Sequence, residues 1–122
     1  MNNKYEAQQA YWSKFGIPAY NELTVPEELR GRYPYLTYQA VNGSLDGQVT
    51  ASAALYYRSM SWEGITNKVT EMEPLINDMV PVQGGYMKVR KPAANFAQQG
   101  NDPDPAVRKM VLTVEVEFLT NH

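Results

Sequence analysis

Side chains that could do chemistry are few in this chain, and they are scattered. His122 is the only histidine and the final residue, and there is no cysteine. A lone terminal imidazole has no neighbour fixed by spacing to orient it or tune it as a general base. Without cysteine, disulfides and thiolate metal sites are excluded, so a metal would have to sit among carboxylates, which select hard ions. Asp102 and Asp104, in Gly100-Asn101-Asp102-Pro103-Asp104-Pro105, come nearest to a calcium loop. They lack its regular ligand spacing and closing Glu, and Asp-Pro steps are ordinary turn chemistry. Glu115 and Glu117 fall on one face of a strand about 7 Å apart, a separation that would suit acid–base work. The simpler reading, adopted here, is a solvated or subunit-facing strand surface. Gly84-Gly85 is too short for a phosphate loop and precedes a strand rather than a helix. Ser44, Ser52, Ser59 and Ser61 have no base candidate nearby. The expectation is a protein that is not an enzyme and needs no cofactor or metal.

The aromatic residues are the other chemical signal. Nine tyrosines occur, and Tyr33, Tyr35, Tyr38, Tyr56 and Tyr57 fall close together around one expected hairpin. Such a cluster can stack on single-stranded nucleic acid. It can equally form a core edge and protein interface, where tyrosine joins apolar area to a hydroxyl. The formal net charge is −2, whereas sequence-independent nucleic-acid binding needs a basic face. Lys88, Arg90, Lys91, Arg108 and Lys109 form the one basic group. The interface reading is therefore preferred.

The elements that must position these residues follow from periodicity. The 122 residues, 43% apolar and 20% charged, suit a single domain over 1–122 with one modest core. No apolar run approaches the roughly 20 residues of a membrane span. The first residues lack the basic-then-apolar pattern of a signal peptide, and the missing cysteines fit a reducing cytoplasm. Segments 16–33 and 92–106 hold most of the prolines and are expected to be irregular. Four strands show period-two alternation. In the first, Leu36, Tyr38 and Ala40 share a face. In the second, Val49, Ala51, Ala53, Leu55 and Tyr57 do so, and a turn-rich stretch at 42–47 separates the two. The third is short, with Met87 and Val89 opposed to Tyr86, Lys88 and Arg90. The fourth sets Met110, Leu112, Val114, Val116 and Phe118 against Lys109, Thr113, Glu115 and Glu117.

Two helices can cover the apolar face. Trp62, Ile65, Val69, Met72, Ile76 and Met79 recur at steps of three and four, which predicts a helix over 62–79. Pro74 interrupts it, so a kink or a stop and restart is expected near 70–73. A weaker stripe of Tyr5, Gln8, Trp12 and Phe15 predicts a helix over 3–14. The order is α-β-β-α-β-β. The expected fold is α+β, a four-stranded antiparallel sheet with two helices packed on one face.

Several motifs in sequence order carry a resemblance. Tyr11-Trp12-Ser13-Lys14-Phe15-Gly16-Ile17-Pro18-Ala19-Tyr20 is followed by Val25-Pro26 and Pro34-Tyr35-Leu36-Thr37-Tyr38. Next come Leu55-Tyr56-Tyr57-Arg58-Ser59-Met60-Ser61-Trp62, Phe96-Ala97-Gln98, Asp102-Pro103 and Val114-Glu115-Val116-Glu117-Phe118-Leu119-Thr120. This order and spacing resembles the tail terminator, or tail completion, proteins of long-tailed phages and prophages of Gram-positive bacteria. The resemblance covers nearly the whole chain. It implies a small α+β domain that forms a homohexameric ring at the neck end of a virion tail, assembled in the bacterial cytoplasm. The ring would cap the tail tube protein, end polymerisation and meet the head–tail connector protein. A sheath protein would join it if the tail is contractile, and DNA would only pass through the lumen. Pro74 departs from what such a second helix would carry. A head–tail connector or completion protein is the alternative in the same class, and a small nucleic-acid-binding module the one outside it.

Partner contacts are expected where the small domain leaves surface uncovered. Tyr56, Tyr86 and Val111 fall on the uncovered sheet face. The proline-rich loop is long enough to be functional. Phe96 is its expected apolar anchor, with Gln98, Asp102 and Asp104 beside it and Arg90 and Lys109 flanking the contact.

Overall fold

The computed structural model of the protein describes residues 3–25, 32–41, 48–92 and 96–120. The turn expected at 42–47 and His122 lie outside these residues, as do 26–31 and 93–95. Helix α1 spans Lys4–Ser13. Its start is fixed by a capping box: Asn3 Oδ1 accepts the Glu6 amide at 2.8 Å, and Glu6 Oε1 accepts the Asn3 amide at 3.0 Å. Gly16, at φ 81°, takes the left-handed conformation that turns the chain away after the helix.

The strands are β1 Ala19–Asn21, β2 Tyr35–Tyr38, β3 Gln48–Arg58, β4 Asp78–Val82, β5 Gly85–Arg90, β6 Ala97–Gly100 and β7 Val107–Thr120. Helix α2, Glu63–Met72, lies between β3 and β4. The class is α+β, and among the described residues the sheet has seven strands rather than the expected four. The four alternating segments are β2, β3, β5 and β7. Of the other three, β1 is too short and β6 too polar to show a period, and β4 is an apolar run without alternation. β1 is three residues pairing parallel with β2, inside a segment expected to be irregular. β6 is Ala97-Gln98-Gln99-Gly100, without a β-branched residue, held by pairing with β7. β4 occupies the end of the segment expected to be helical.

That last difference has a local cause. The α-helix stops at Met72, and Pro74 sits in the opening positions of a single 3₁₀ turn, Glu73–Leu75. There its missing amide leaves no helical bond broken. The chain then extends, and Met79 lies in β4 at 49% exposure instead of on a buried helical stripe. Trp62 also differs from expectation. Ile65, Val69 and Met72 are buried, but Trp62 stands at the N-cap position, half-buried against the core edge, with the Arg108 guanidinium 5.4 Å from its ring centre.

Strand β7 organises the sheet. One edge pairs with β3 from Val107 to Glu117. The other is shared, with β6 opposite Lys109–Leu112 and β5 opposite Glu115–Thr120. The sheet order is β1-β2-β3-β7-β5-β4, with β6 beside β7. Alternate residues form a single core: Leu36 and Tyr38, Ala51, Ala53 and Leu55, Met87 and Val89, and Met110 through Phe118 at every second position. Ala7, Tyr11 and Trp12 of α1 and Ile65, Val69 and Met72 of α2 join the same cluster, so both helices cover one face. Ala51 and Ala53 are buried on that face, and α2 packs against both β3 and β7.

Helix α1 packs against both outer strands, β1 and β4, so the sheet curls around it. Gln9 Nε2 donates to the Ala19 carbonyl at 2.9 Å on the β1 side. On the other side the Tyr11 hydroxyl donates to the Ile76 carbonyl at 2.6 Å, and Lys14 Nζ lies 2.9 Å from Asp78 Oδ2.

Candidate functional site

The face of the sheet away from the helices carries most of the residues singled out for partner contact. On β7 it presents Lys109, Val111, Thr113, Glu115, Glu117 and Leu119, all half-buried. The register places Tyr56 opposite Lys109 and Tyr86 opposite Leu119. Those positions are ten residues apart along β7, roughly 33 Å in an extended strand. The expected interface residues therefore form two patches at opposite ends of one face.

The first patch is aromatic and basic. Tyr35 and Tyr56 stack across β2 and β3 with centroids 4.8 Å apart, and Tyr33 packs on Tyr35 at 5.3 Å. Lys109 Nζ stands 5.7 Å from the Tyr56 ring centre. Tyr56 thus lies between Tyr35 and a cation. Its ring is engaged within the protein, which weakens the case for a base-stacking platform. Asp102 and Asp104 close the turn beside this patch. Asp102 Oδ1 accepts the Asp104 amide and Asp104 Oδ1 the Ala106 amide, both at 2.9 Å. This is Asx-turn chemistry. Asp104 also lies 3.6 Å from Arg58, a loose and exposed pair.

Arg32, Tyr33, Pro34, Tyr57 and Arg58 line a cleft of about 420 Å³ at this end of the sheet. Burial pushes the Tyr33 phenol above its ordinary pKa, and the charges of Asp102 and Asp104 push it further. Burial likewise raises Tyr57, helped by Glu71. Both remain hydroxyl donors at neutral pH, in reach of a cleft edged by two guanidinium groups.

The second patch is apolar and lies at the β4–β5 edge. Tyr86 is 49% exposed and pairs in register with Pro81, while Met79 pairs with Lys88. Between the patches Arg90 meets Glu115 at 3.7 Å and Lys88 lies opposite Glu117. These pairings give Glu115 and Glu117 cation neighbours in the sheet, in keeping with a surface role.

The remaining expected residues divide. Gln98 is exposed on β6, opposite Val111. Phe96 is 7% exposed and belongs to the protein's own core, where its carbonyl accepts the Thr113 amide at 2.8 Å. It floors a groove of about 350 Å³ between α2 and β6, with Val69, Thr70, Glu73 and Met110. Phe96 thus anchors β6 to β7, and the surface of this segment is left to Gln98 and the turn at 101–106.

Three parts of this surface escaped the sequence reading. The Arg32–Arg58 cleft joins residues far apart in the chain, with no spacing to reveal it. Met79 was hidden by the helical stripe that continues through it, and Met79-Val80-Pro81-Val82 is a short apolar run with no alternation to mark a strand. Leu23, 86% exposed in the turn after β1, is a single residue without a pattern. Comparison of the chain with models of known protein families and with curated proteins finds no match. Among the described residues no helix is long and apolar enough to cross a membrane.

Proposed function

We propose that the protein is a ring-forming assembly protein of the tail terminator type, which caps a tail tube, ends its polymerisation and meets the head connector. The observation that carries this reading is the uncovered apolar end of the sheet. Met79 and Tyr86 are each 49% exposed, with exposed Pro81 opposite Tyr86 and half-buried Leu119 beside it. Among the described residues both helices lie on the other face. Large apolar groups held in water at a sheet edge suit a protein partner. Two unlike patches at opposite ends of one face suit a heterologous contact, the kind that closes rings. The order of motifs along the chain supports the same reading, with copies of this chain, the tube protein and the connector as partners at the neck end of the tail.

The test is assembly. The purified protein should form rings, visible by electron microscopy and as a discrete particle mass, and should limit tube length when mixed with the tube protein of the same particle. Met79→Asp with Tyr86→Asp should keep the circular dichroism of the parent while losing tube capping. A protein that stays monomeric at every concentration and leaves tube length unchanged would overturn the reading.

A further inference from the structure

We propose that the Glu22–Leu23 turn of one copy seats in the Arg32–Arg58 cleft of the next, an inference that rests on the ring-forming reading above. Two guanidinium groups line the cleft, and among the described residues Asp104 is the one carboxylate in ion-pair range of either, with Asp102 and Glu71 acting on its tyrosines from further off. Among the described residues Arg32 makes no ion pair, and Arg58 reaches only Asp104, at 3.6 Å, with 61% of its side chain exposed. Its walls are apolar and aromatic: Tyr33, Pro34 and Tyr57. An occupant that fits must bring a carboxylate together with an apolar side chain.

This chain presents that pair at the other end of the same strand. β1 runs parallel to β2 and delivers the chain to a turn beside Tyr38, where the Glu22 amide donates to the Tyr38 carbonyl at 2.9 Å. Asn21 orders the turn. Its Oδ1 accepts the Leu23 amide at 3.0 Å, and its carbonyl accepts the Thr24 amide at 2.9 Å. The turn holds Leu23 86% exposed. Glu22 beside it is exposed and makes no ion pair among the described residues. A turn ordered before docking loses little conformational freedom on binding. The cleft opens beside Tyr33 and Pro34, just before β2, and the turn lies beside Tyr38, where β2 ends. The four residues of β2 span roughly 13 Å, so a chain cannot place its own turn in its own cleft. The contact must be head-to-tail between copies, and such a contact closes into a ring when the rotation allows.

Charge reversal tests it on the full chain. Glu22→Arg and Arg58→Glu should each weaken self-association about ten-fold or more, read by sedimentation or particle mass, and the two together should restore most of it. Leu23→Ser should weaken association without changing its salt dependence, whereas the charge reversals should change it. Circular dichroism should be unaltered in all of them, because every substituted side chain lies at the surface. If the parent forms rings and the single reversals associate as well as the parent, or the double reversal recovers nothing, this contact is wrong and the ring reading stands. If the parent never associates, alone or with the tube protein, both are overturned. Retention of the parent on single-stranded oligothymidylate, lost with Arg32→Ala and Arg58→Ala together, would assign the cleft to phosphate and overturn the proposed occupant.

Discussion

Replacing Gln8 with leucine should destabilise the domain by about 1–2 kcal/mol, and replacing it with glutamate should do so in a pH-dependent way. Gln8 is 3% exposed, and its amide is bonded on both sides. Its Nε2 donates to the Val41 carbonyl at 2.8 Å and to the Lys4 carbonyl at 3.1 Å, and its Oε1 accepts the Val41 amide at 2.8 Å. The side chain therefore pairs with both backbone groups of Val41, tying α1 to the chain that leaves β2. Leucine would leave those groups without partners, at about 1–3 kcal/mol each when fully buried. Val41 is half-buried, so the lower part of that range applies, and leucine recovers about 1 kcal/mol through its apolar surface. The net loss should lower the melting temperature by about 4–10 °C in a domain this size. Glutamate keeps the length but turns a donor into an acceptor facing two carbonyls, so it should cost more than leucine at neutral pH. Burial and those carbonyls raise its folded pKa above the unfolded value. The deficit should therefore be fully present above the folded pKa and shrink as pH falls through it, because the protonated acid can again donate to Val41. Melting curves at about pH 7 and about pH 5, with hydrogen exchange at the Val41 amide, provide the measurement. A leucine variant that melts with the parent and exchanges Val41 no faster would refute this reasoning, as would a glutamate variant indifferent to pH.

Other substitutions probe how the remaining elements are held. Tyr11→Phe should cost about 1–2 kcal/mol in urea unfolding, because the Ile76 carbonyl loses its bond from the Tyr11 hydroxyl at 2.6 Å. The hydrogen bond from Lys14, followed by that from the Met79 amide, holds the Asp78 carboxyl below its ordinary range. Its contribution is full above the unfolded value and is lost as pH falls through the lower folded one. Asp78→Asn should thus cost under about 1 kcal/mol at neutral pH, and the gap from the parent should close in strong acid. Trp62→Ala should cost about 1–2 kcal/mol, below the 3–5 of a fully buried aromatic, since Trp62 is only half-buried. A loss as large as that of a core residue such as Phe118→Ala would show that Trp62 is deeper than its exposure indicates.

The long alternating strands were legible because each buries one face against the helices, and burial imposes the period. Met110, Leu112, Val114, Val116 and Phe118 are all buried, as their spacing predicts. Ile65, Val69 and Met72 likewise follow a helical stripe that burial wrote into the sequence. The misreadings have separate causes. The stop expected near 70–73 falls at Met72, but Ile76 is buried and continues the stripe, so a helix is expected to resume where β4 begins. β1 and β6 owe their existence to partner strands, and their own residues encode little of it. The surface was less legible still. The Arg32–Arg58 cleft exists only once β2 and β3 are paired. Phe96 looked like an anchor for a partner because β6, the strand that follows it and pairs it onto β7, has no periodicity of its own.

The position of β7 in the chain has a kinetic consequence. It is the last strand in sequence order and yet lies inside the sheet, against β3, β5 and β6. Gln48 must find Glu117 and Arg58 must find Val107, partners roughly 50–70 residues apart, and contacts so distant in sequence close slowly. Until they do, β1–β3 and β4–β5 are two half-sheets, each with an unpaired inner edge and an apolar face. Unpaired edges of this kind invite joining between chains. The two halves are joined into one sheet only through residues 107–120. Slowing release of that last segment should raise aggregation far more than slowing the earlier ones, even though it leaves the folded protein unchanged.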